Sequence, residues 1–254
     1  MTMPTLPSWR PHPSPDRVLL ATERFRVSAA RRVLDVTAVV LALAVAVPVL
    51  LVAAGLVLIT DGRPVLFSQN RLGEGGRPFR MYKLRTMRRS DDAGPGVTSV
   101  GDNRITPVGR ILRAFSIDEL PQLWHVVRGQ MTLVGPRPES VELAARYPQS
   151  CRFVLRARPG LTGPAQLAYR EGSITPPAAS DPDEWYLSVL VPLRTEADLE
   201  YLLRPTLAST VRWLLVTVLA VVGGGRGRGS GSGLAAARDV PPPYDVAVSP
   251  SDGK

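Results

Sequence analysis

The chain has 254 residues, a formal net charge of +9 and a pI near 10.5, with one cysteine and two histidines. A lone cysteine, Cys151, excludes an internal disulfide framework and a cysteine-built zinc site. Two histidines, His12 and His125, poorly support a histidine metal site or a Ser-His-Asp triad, so any enzymatic chemistry falls to carboxylates and cationic side chains.

The positive charge is almost all arginine, and lysine occurs only at Lys83 and Lys254. A lysine kept at position 83 is either chance or a need for a compact, flexible ammonium there. Residues 1–27 begin Pro-rich and are expected to form a disordered lead-in.

Residues 28–60 hold the membrane element. Val36–Ile59 is a run of 24 residues without a charge, longer than the roughly 20 apolar residues a span requires. Two features argue against a simple crossing. Pro48 lies in the middle, where it removes a helical hydrogen bond. Both flanks are basic, with Arg31 and Arg32 before the run and Arg63 and Arg71 after it, so no asymmetry sets an orientation. The expected shape is a re-entrant helix broken at Pro48. Arg31, Arg32 and Asp35 are then expected at the headgroup level, with the arginines meeting lipid phosphate.

Residues 61–222 are expected to form the catalytic domain. VLFSQNR and PFRMYKLRTM, joined by LGEGG, read as a β-hairpin over residues 65–87. After the polar loop SDDAGPGVTSVGDNR, the stretch ITPVGRILRAFSIDELPQLWHVVRG reads as helical. Leu120, Leu123, Trp124 and Val127 fall on one helix face. MTLVGPRP reads as a short extended piece with a rigid turn, ESVELAARYP as a further helix, and RPGLTGPAQ as turn-rich. STVRWLLVTVLAVV is short for a span and suits an interfacial helix. Residues 223–254 read as a flexible tail. The expected fold class is α+β, mostly α-helical and monotopic.

Within SIDELPQ, Ser116 and Glu119 have the spacing of a capping box, and acidic residues suit the first turn of a helix. Capping explains neither Asp118 nor the cations nearby in sequence: Lys83, Arg85, Arg110, Arg113, Arg137, Arg156 and Arg158. If these converge, they make an anion pocket around a carboxylate pair, suited to a diphosphate substrate. One carboxylate would then attack phosphorus while the other holds a divalent metal. The competing reading is a surface that is basic because it faces anionic lipid.

ITPVGRILRAFSIDELPQLWHVVRGQMTLVGPRPE resembles the core signature of the bacterial sugar transferases, the monotopic phosphoglycosyl transferases. FSQNRLGEGGRPFRMYKLRTM, RARPGLTGPAQ and the apolar run after RRVLD are similar to further blocks of that family, over roughly residues 28–220. The resemblance implies transfer of a sugar 1-phosphate from a UDP-sugar to undecaprenyl phosphate, with release of UMP. It implies Asp118 as nucleophile, through a phosphosugar-aspartyl intermediate, Glu119 as the Mg²⁺ ligand, and Lys83 and Arg113 steadying Asp118 and the phosphate. Arg85, Arg137, Arg158 and Gln166 are the implied substrate contacts. The product would start an exopolysaccharide or another surface glycan.

The implied setting is the bacterial plasma membrane, with the catalytic domain on the cytoplasmic face, no nucleic acid partner and room for a homodimer. The alternative is a basic, membrane-docked lipid-binding adaptor without catalysis. His125 and Gln130 stand where the family usually has Asn and Asp, and Pro164 where a tryptophan is common.

Overall fold

The computed structural model describes Val18, Phe25 and residues 27–88, 102–169 and 181–222. Most of the lead-in, the middle of the polar loop and the whole tail lie outside the described residues.

The first helix, α1 (Ala29–Asp61), starts where the Ser28 side chain accepts from the Arg31 amide and ends at Gly62. At 33 residues it is about 50 Å long by helical rise, and it is apolar enough to cross a membrane. The expected break at Pro48 is not an interruption: helix continues on both sides of it. A proline costs its own backbone bond and strains the preceding turn, but the flanking bonds can persist and leave a bend rather than an end.

The buried positions of α1 are Arg31, Asp35, Val39, Ala46, Ala53 and Val57. They recur at helical spacing and form one stripe that faces protein. Val40, Leu41, Val45, Leu51, Val52 and Ile59 stay exposed on the other faces.

The chain then forms the expected hairpin. Strands β1 (Leu66–Leu72) and β2 (Pro78–Leu84) pair antiparallel, with Phe67 opposite Lys83. The turn uses Gly75 and Gly76 at positive φ, which glycine alone adopts without strain. The long helix expected next is three pieces: α2 (Pro107–Ala114), a 3₁₀ turn (Ile117–Gln122) and α3 (Leu123–Val127). Ser116, at φ 54°, and Pro121 explain the division, since neither fits a continuous α-helix. As a result Leu123 is buried while Trp124, assigned to the same face, is 57% exposed.

A second small sheet pairs β3 (Thr132–Val134) in parallel with β4 (Gly160–Thr162). Between them come α4 (Val141–Ala145) and a 3₁₀ segment (Gln149–Arg156). After α5 (Pro164–Ala168), α6 (Pro182–Trp185) passes through a π-helical turn (Tyr186–Leu190) into α7 (Val191–Leu203), and α8 (Leu207–Val222) closes the described chain. The described residues are thus mostly helical with two small sheets.

One core joins Val39 of α1, Phe79 and Met81 of β2, Leu123 and Val126 of α3, Val134 of β3 and Leu199 of α7. A smaller cluster packs Ala53 and Val57 of α1 on Leu84 and Leu112. The two clusters hold both halves of α1 against the same body.

Candidate active site

The 3₁₀ turn carries the acidic pair. Ser116 occupies the position before it, but its side chain makes no capping hydrogen bond there; the turn is closed instead by the Glu119 amide donating to the Ser116 carbonyl at 3.2 Å. A left-handed Ser116 does not have the extended backbone of a capping-box residue, so the expected box does not form. Asp118 points inward and is buried, whereas Glu119 is about a quarter exposed.

Burial pushes the Asp118 carboxyl up to about 6, and the neighbouring Glu119 charge adds to the rise. The Lys83 and Arg113 charges act in the opposite direction. Lys83 arrives at the end of β2, with its ammonium 5.3 Å from the centre of the Phe67 ring opposite. Arg113 arrives on α2, held by a 2.9 Å hydrogen bond from its Nε to Thr86 Oγ1. Near neutral pH such a carboxylate is mostly ionised yet poorly solvated, the state a nucleophile needs.

Arg137, in the turn after β3, places a guanidinium nitrogen 3.5 Å from Glu119 Oε1. Of the assigned residues, Arg137 thus reaches Glu119, and the charges of Glu119, Lys83 and Arg113 bear on Asp118.

Other assigned residues are engaged elsewhere. Arg85 donates to the carbonyls of Asp61 and Gly62 and so holds the end of α1. Arg158 makes two bonds to Glu74 Oε2, at 3.0 and 2.7 Å, which tie it to the hairpin turn. Gln166 donates to the carbonyls of Gly135 and Gly160, both at 3.3 Å, bracing the second sheet. Arg31, Arg32 and Asp35, assigned to the headgroup level, make bonds within the protein. Arg31 binds the Val134 carbonyl and Thr132, Asp35 accepts from Thr132, and Arg32 binds the carbonyls of Val126 and Val127. A two-stranded sheet and a short helix leave carbonyls unpaired, and these arginines fill them.

Residues 26–224 match the family described as bacterial sugar transferase. The chain belongs to that family. It is 50% identical over 151 residues to a Caulobacter vibrioides protein named UDP-glucose:undecaprenyl-phosphate glucose-1-phosphate transferase, covering 57% of this chain and 55% of that one. It is 36% identical over 156 residues to the exopolysaccharide production protein ExoY of Sinorhizobium fredii, covering 55% and 69%. A third relative, from Aeromonas hydrophila, is named as a UDP-N-acetylgalactosamine-undecaprenyl-phosphate N-acetylgalactosaminephosphotransferase and is 38% identical over 143 residues, 55% of this chain and 34% of that one. The matched stretch is about half the length of the Caulobacter relative and a third of the Aeromonas one.

In this member of the family, two departures from the usual pattern prove to be one feature. His125 Nδ1 lies 2.8 Å from Gln130 Oε1, while its Nε2 accepts from the Tyr82 amide at 3.2 Å. The amide needs an acceptor at Nε2, so the proton belongs on Nδ1, donated to Gln130. Burial lowers the pKa of the ring, favouring this neutral form over the counteracting Gln130 bond. His125 also stacks on Tyr82, next to Lys83 in β2. Pro164 takes the first position of α5, where its missing N–H costs nothing.

Sequence reasoning missed a buried cluster behind Arg137. Glu139 accepts from Arg71, Tyr147 and Tyr186, and Arg194 donates to Tyr186 Oη at 3.2 Å. Burial and the Glu139 charge push Tyr186 up to about 12 and Tyr147 well above its ordinary value, so both phenols remain donors. The only sequence signal was Glu139 directly after GPRP; nothing marked the tyrosines, 8 and 47 residues away from it.

Among the described residues no group of three or more His, Cys, Asp or Glu side chains could cage a metal. Glu119, partly exposed beside a buried aspartate, does fit a Mg²⁺ held by one or two carboxylates and substrate phosphates.

Proposed function

We propose that this chain transfers a sugar 1-phosphate from a UDP-sugar to undecaprenyl phosphate at the membrane, by way of Asp118. The observation that carries this reading is a buried carboxylate, raised to about 6 by burial and drawn back by the charges of Lys83 and Arg113. In the first step a carboxylate oxygen of Asp118 bonds to the β-phosphorus of the UDP-sugar, and the bond to the UMP oxygen breaks. In the second step a phosphate oxygen of undecaprenyl phosphate attacks the same phosphorus and releases Asp118. The names of the Caulobacter and Aeromonas relatives support the donor and acceptor classes.

Lys83 and Arg113 neutralise the anions that meet at Asp118, and keep it ionised against its burial. Arg137 offers a fork to the diphosphate from the Glu119 side. Glu119 would hold Mg²⁺, which when bound offsets the diphosphate charge. Arg85, Arg158 and Gln166 serve the scaffold in this reading, holding α1, the hairpin turn and the second sheet.

We also propose that α1 enters and leaves one face of the bilayer, with the catalytic domain in the cytoplasm. Support comes from its two ends, which both bond to that domain, through Arg31 and Arg32 at one end and the Asp61 and Gly62 carbonyls at the other. The exposed apolar side chains of α1 and of α8, such as Leu215, Val218 and Leu219, would face lipid. The test is UMP release from a panel of UDP-sugars by the detergent-solubilised full chain with Mg²⁺ and undecaprenyl phosphate. At least one UDP-sugar should yield UMP in an acceptor-dependent way; no release from any member of the panel would oppose the proposal.

A further inference from the structure

We propose that Glu139 is a positioning residue for the transfer, acting through Arg137; this rests on the reading of Arg137 as a substrate contact at the dyad. Within residues 135–140 only Arg137 escapes burial, and the backbone on either side of it is fixed. Upstream, the Gly135 amide donates to the Thr162 carbonyl and the Gly160 amide to the Pro136 carbonyl, both at 2.8 Å. The two glycines approach so closely that a Cβ on Gly160 would lie 2.1 Å from the Gly135 nitrogen. This side of the turn is thus welded to β4.

Downstream, Glu139 is the weld. Its Oε1 accepts from Arg71 at 3.2 Å and from the Ser140 amide at 2.9 Å. Its Oε2 accepts from Tyr147 at 2.9 Å and from Tyr186. The same Arg71 nitrogen donates to the Pro138 carbonyl at 3.1 Å, and the Leu72 amide donates to the Glu139 carbonyl at 2.9 Å. One side chain therefore gathers donors from β1, the 140s and the π-helical turn onto the residue two places after Arg137. Pro136 and Pro138 restrict φ on both sides of Arg137, so the anchored turn has little freedom. Its orientation passes directly into where the guanidinium stands, 3.5 Å from Glu119.

A residue that only stabilises the fold would lower activity by the same factor whether or not Arg137 is present. A positioning residue loses its effect when Arg137 is gone. The test is a double-mutant cycle on the full chain in detergent, scoring kcat/KM for UDP-sugar by UMP release, with tryptophan fluorescence setting the folded fraction. Glu139→Gln should lower kcat/KM on the order of tenfold to a hundredfold, the scale of a small misplacement at a reacting centre. In the Arg137→Ala background it should cost less than about threefold. Equal factors in the two backgrounds would overturn the inference while leaving Arg137 as a substrate contact. An Arg137→Ala chain as active as the parent would overturn both. Should Glu139→Gln fail to fold, Tyr186→Phe removes one donor and keeps the carboxyl. Its smaller loss, about threefold to tenfold, must likewise vanish without Arg137.

Discussion

Thr132 donates its hydroxyl to Asp35, joining β3 to the second turn of α1 across 97 residues of sequence. Asp35 is fully buried, and Arg31 one turn earlier reaches the same threonine. The polar start of α1 is therefore a docking joint inside the protein. Asp35→Ala should cost about 1.5–3 kcal/mol of stability, the worth of a charged hydrogen bond whose partner is left buried, and lower the thermal midpoint in detergent. Binding of the folded variant to vesicles should not depend more on their anionic lipid content than the parent's does. Unchanged stability with strengthened binding to anionic vesicles, from loss of a negative charge at the surface, would instead return Asp35 and its neighbours to the headgroups.

The sequence carried the local elements well where one residue type dictates one geometry. The apolar run of α1, the Gly-Gly turn of the hairpin and the Asp118–Glu119 pair could all be read directly. It carried partners poorly. Arg85, Arg158 and Arg31 look alike in a sequence, and only the fold decides whether a guanidinium meets a helix end, a glutamate or a strand carbonyl. The long helix through Ser116 failed for a similar reason. Periodicity records apolar spacing, whereas a left-handed serine and an internal proline set the break. Glu139 was invisible because its phenol donors come from distant segments.

Asp118 is raised by burial, so its ionisation opposes folding. A carboxyl whose folded value lies above the unfolded 3.8 binds extra protons in the native state between those values. Its contribution to stability is present at low pH and fades as pH rises from about 4 to about 6. Asp118→Asn should accordingly abolish turnover yet raise the thermal midpoint near pH 7, with a gain of about 1–3 kcal/mol. Denaturant melts at pH 7 check this. A variant less stable than the parent would contradict the electrostatic account.

His125 works in the opposite sense. Burial holds its pKa below the ordinary 6.5, so the unfolded chain binds the extra proton first. The stability it lends is present above pH 6.5 and lost as pH falls below that value. His125→Asn should flatten the pH dependence of the denaturation midpoint below pH 6.5. An unaltered slope would mean that the Tyr82–His125–Gln130 chain does not keep the ring neutral.

The two ends of α1 are both tied to the body of the fold, Arg32 to the end of α3 and Gly62 to Arg85. Single cysteines at Ala30 and Arg63 should therefore react with an impermeant maleimide from the same side of sealed vesicles. The native Cys151 is buried and should stay silent. Reaction from opposite sides would establish a full crossing.

The central claim is that Asp118 bonds to phosphorus. It is tested most directly by incubating the full chain with UDP-sugar and Mg²⁺ in the absence of undecaprenyl phosphate, then digesting at low pH for peptide mass spectrometry. The account predicts a phosphosugar mass on Asp118 that is discharged when undecaprenyl phosphate is added. The same adduct on another residue, or UMP release by Asp118→Asn at the parental rate, would contradict it.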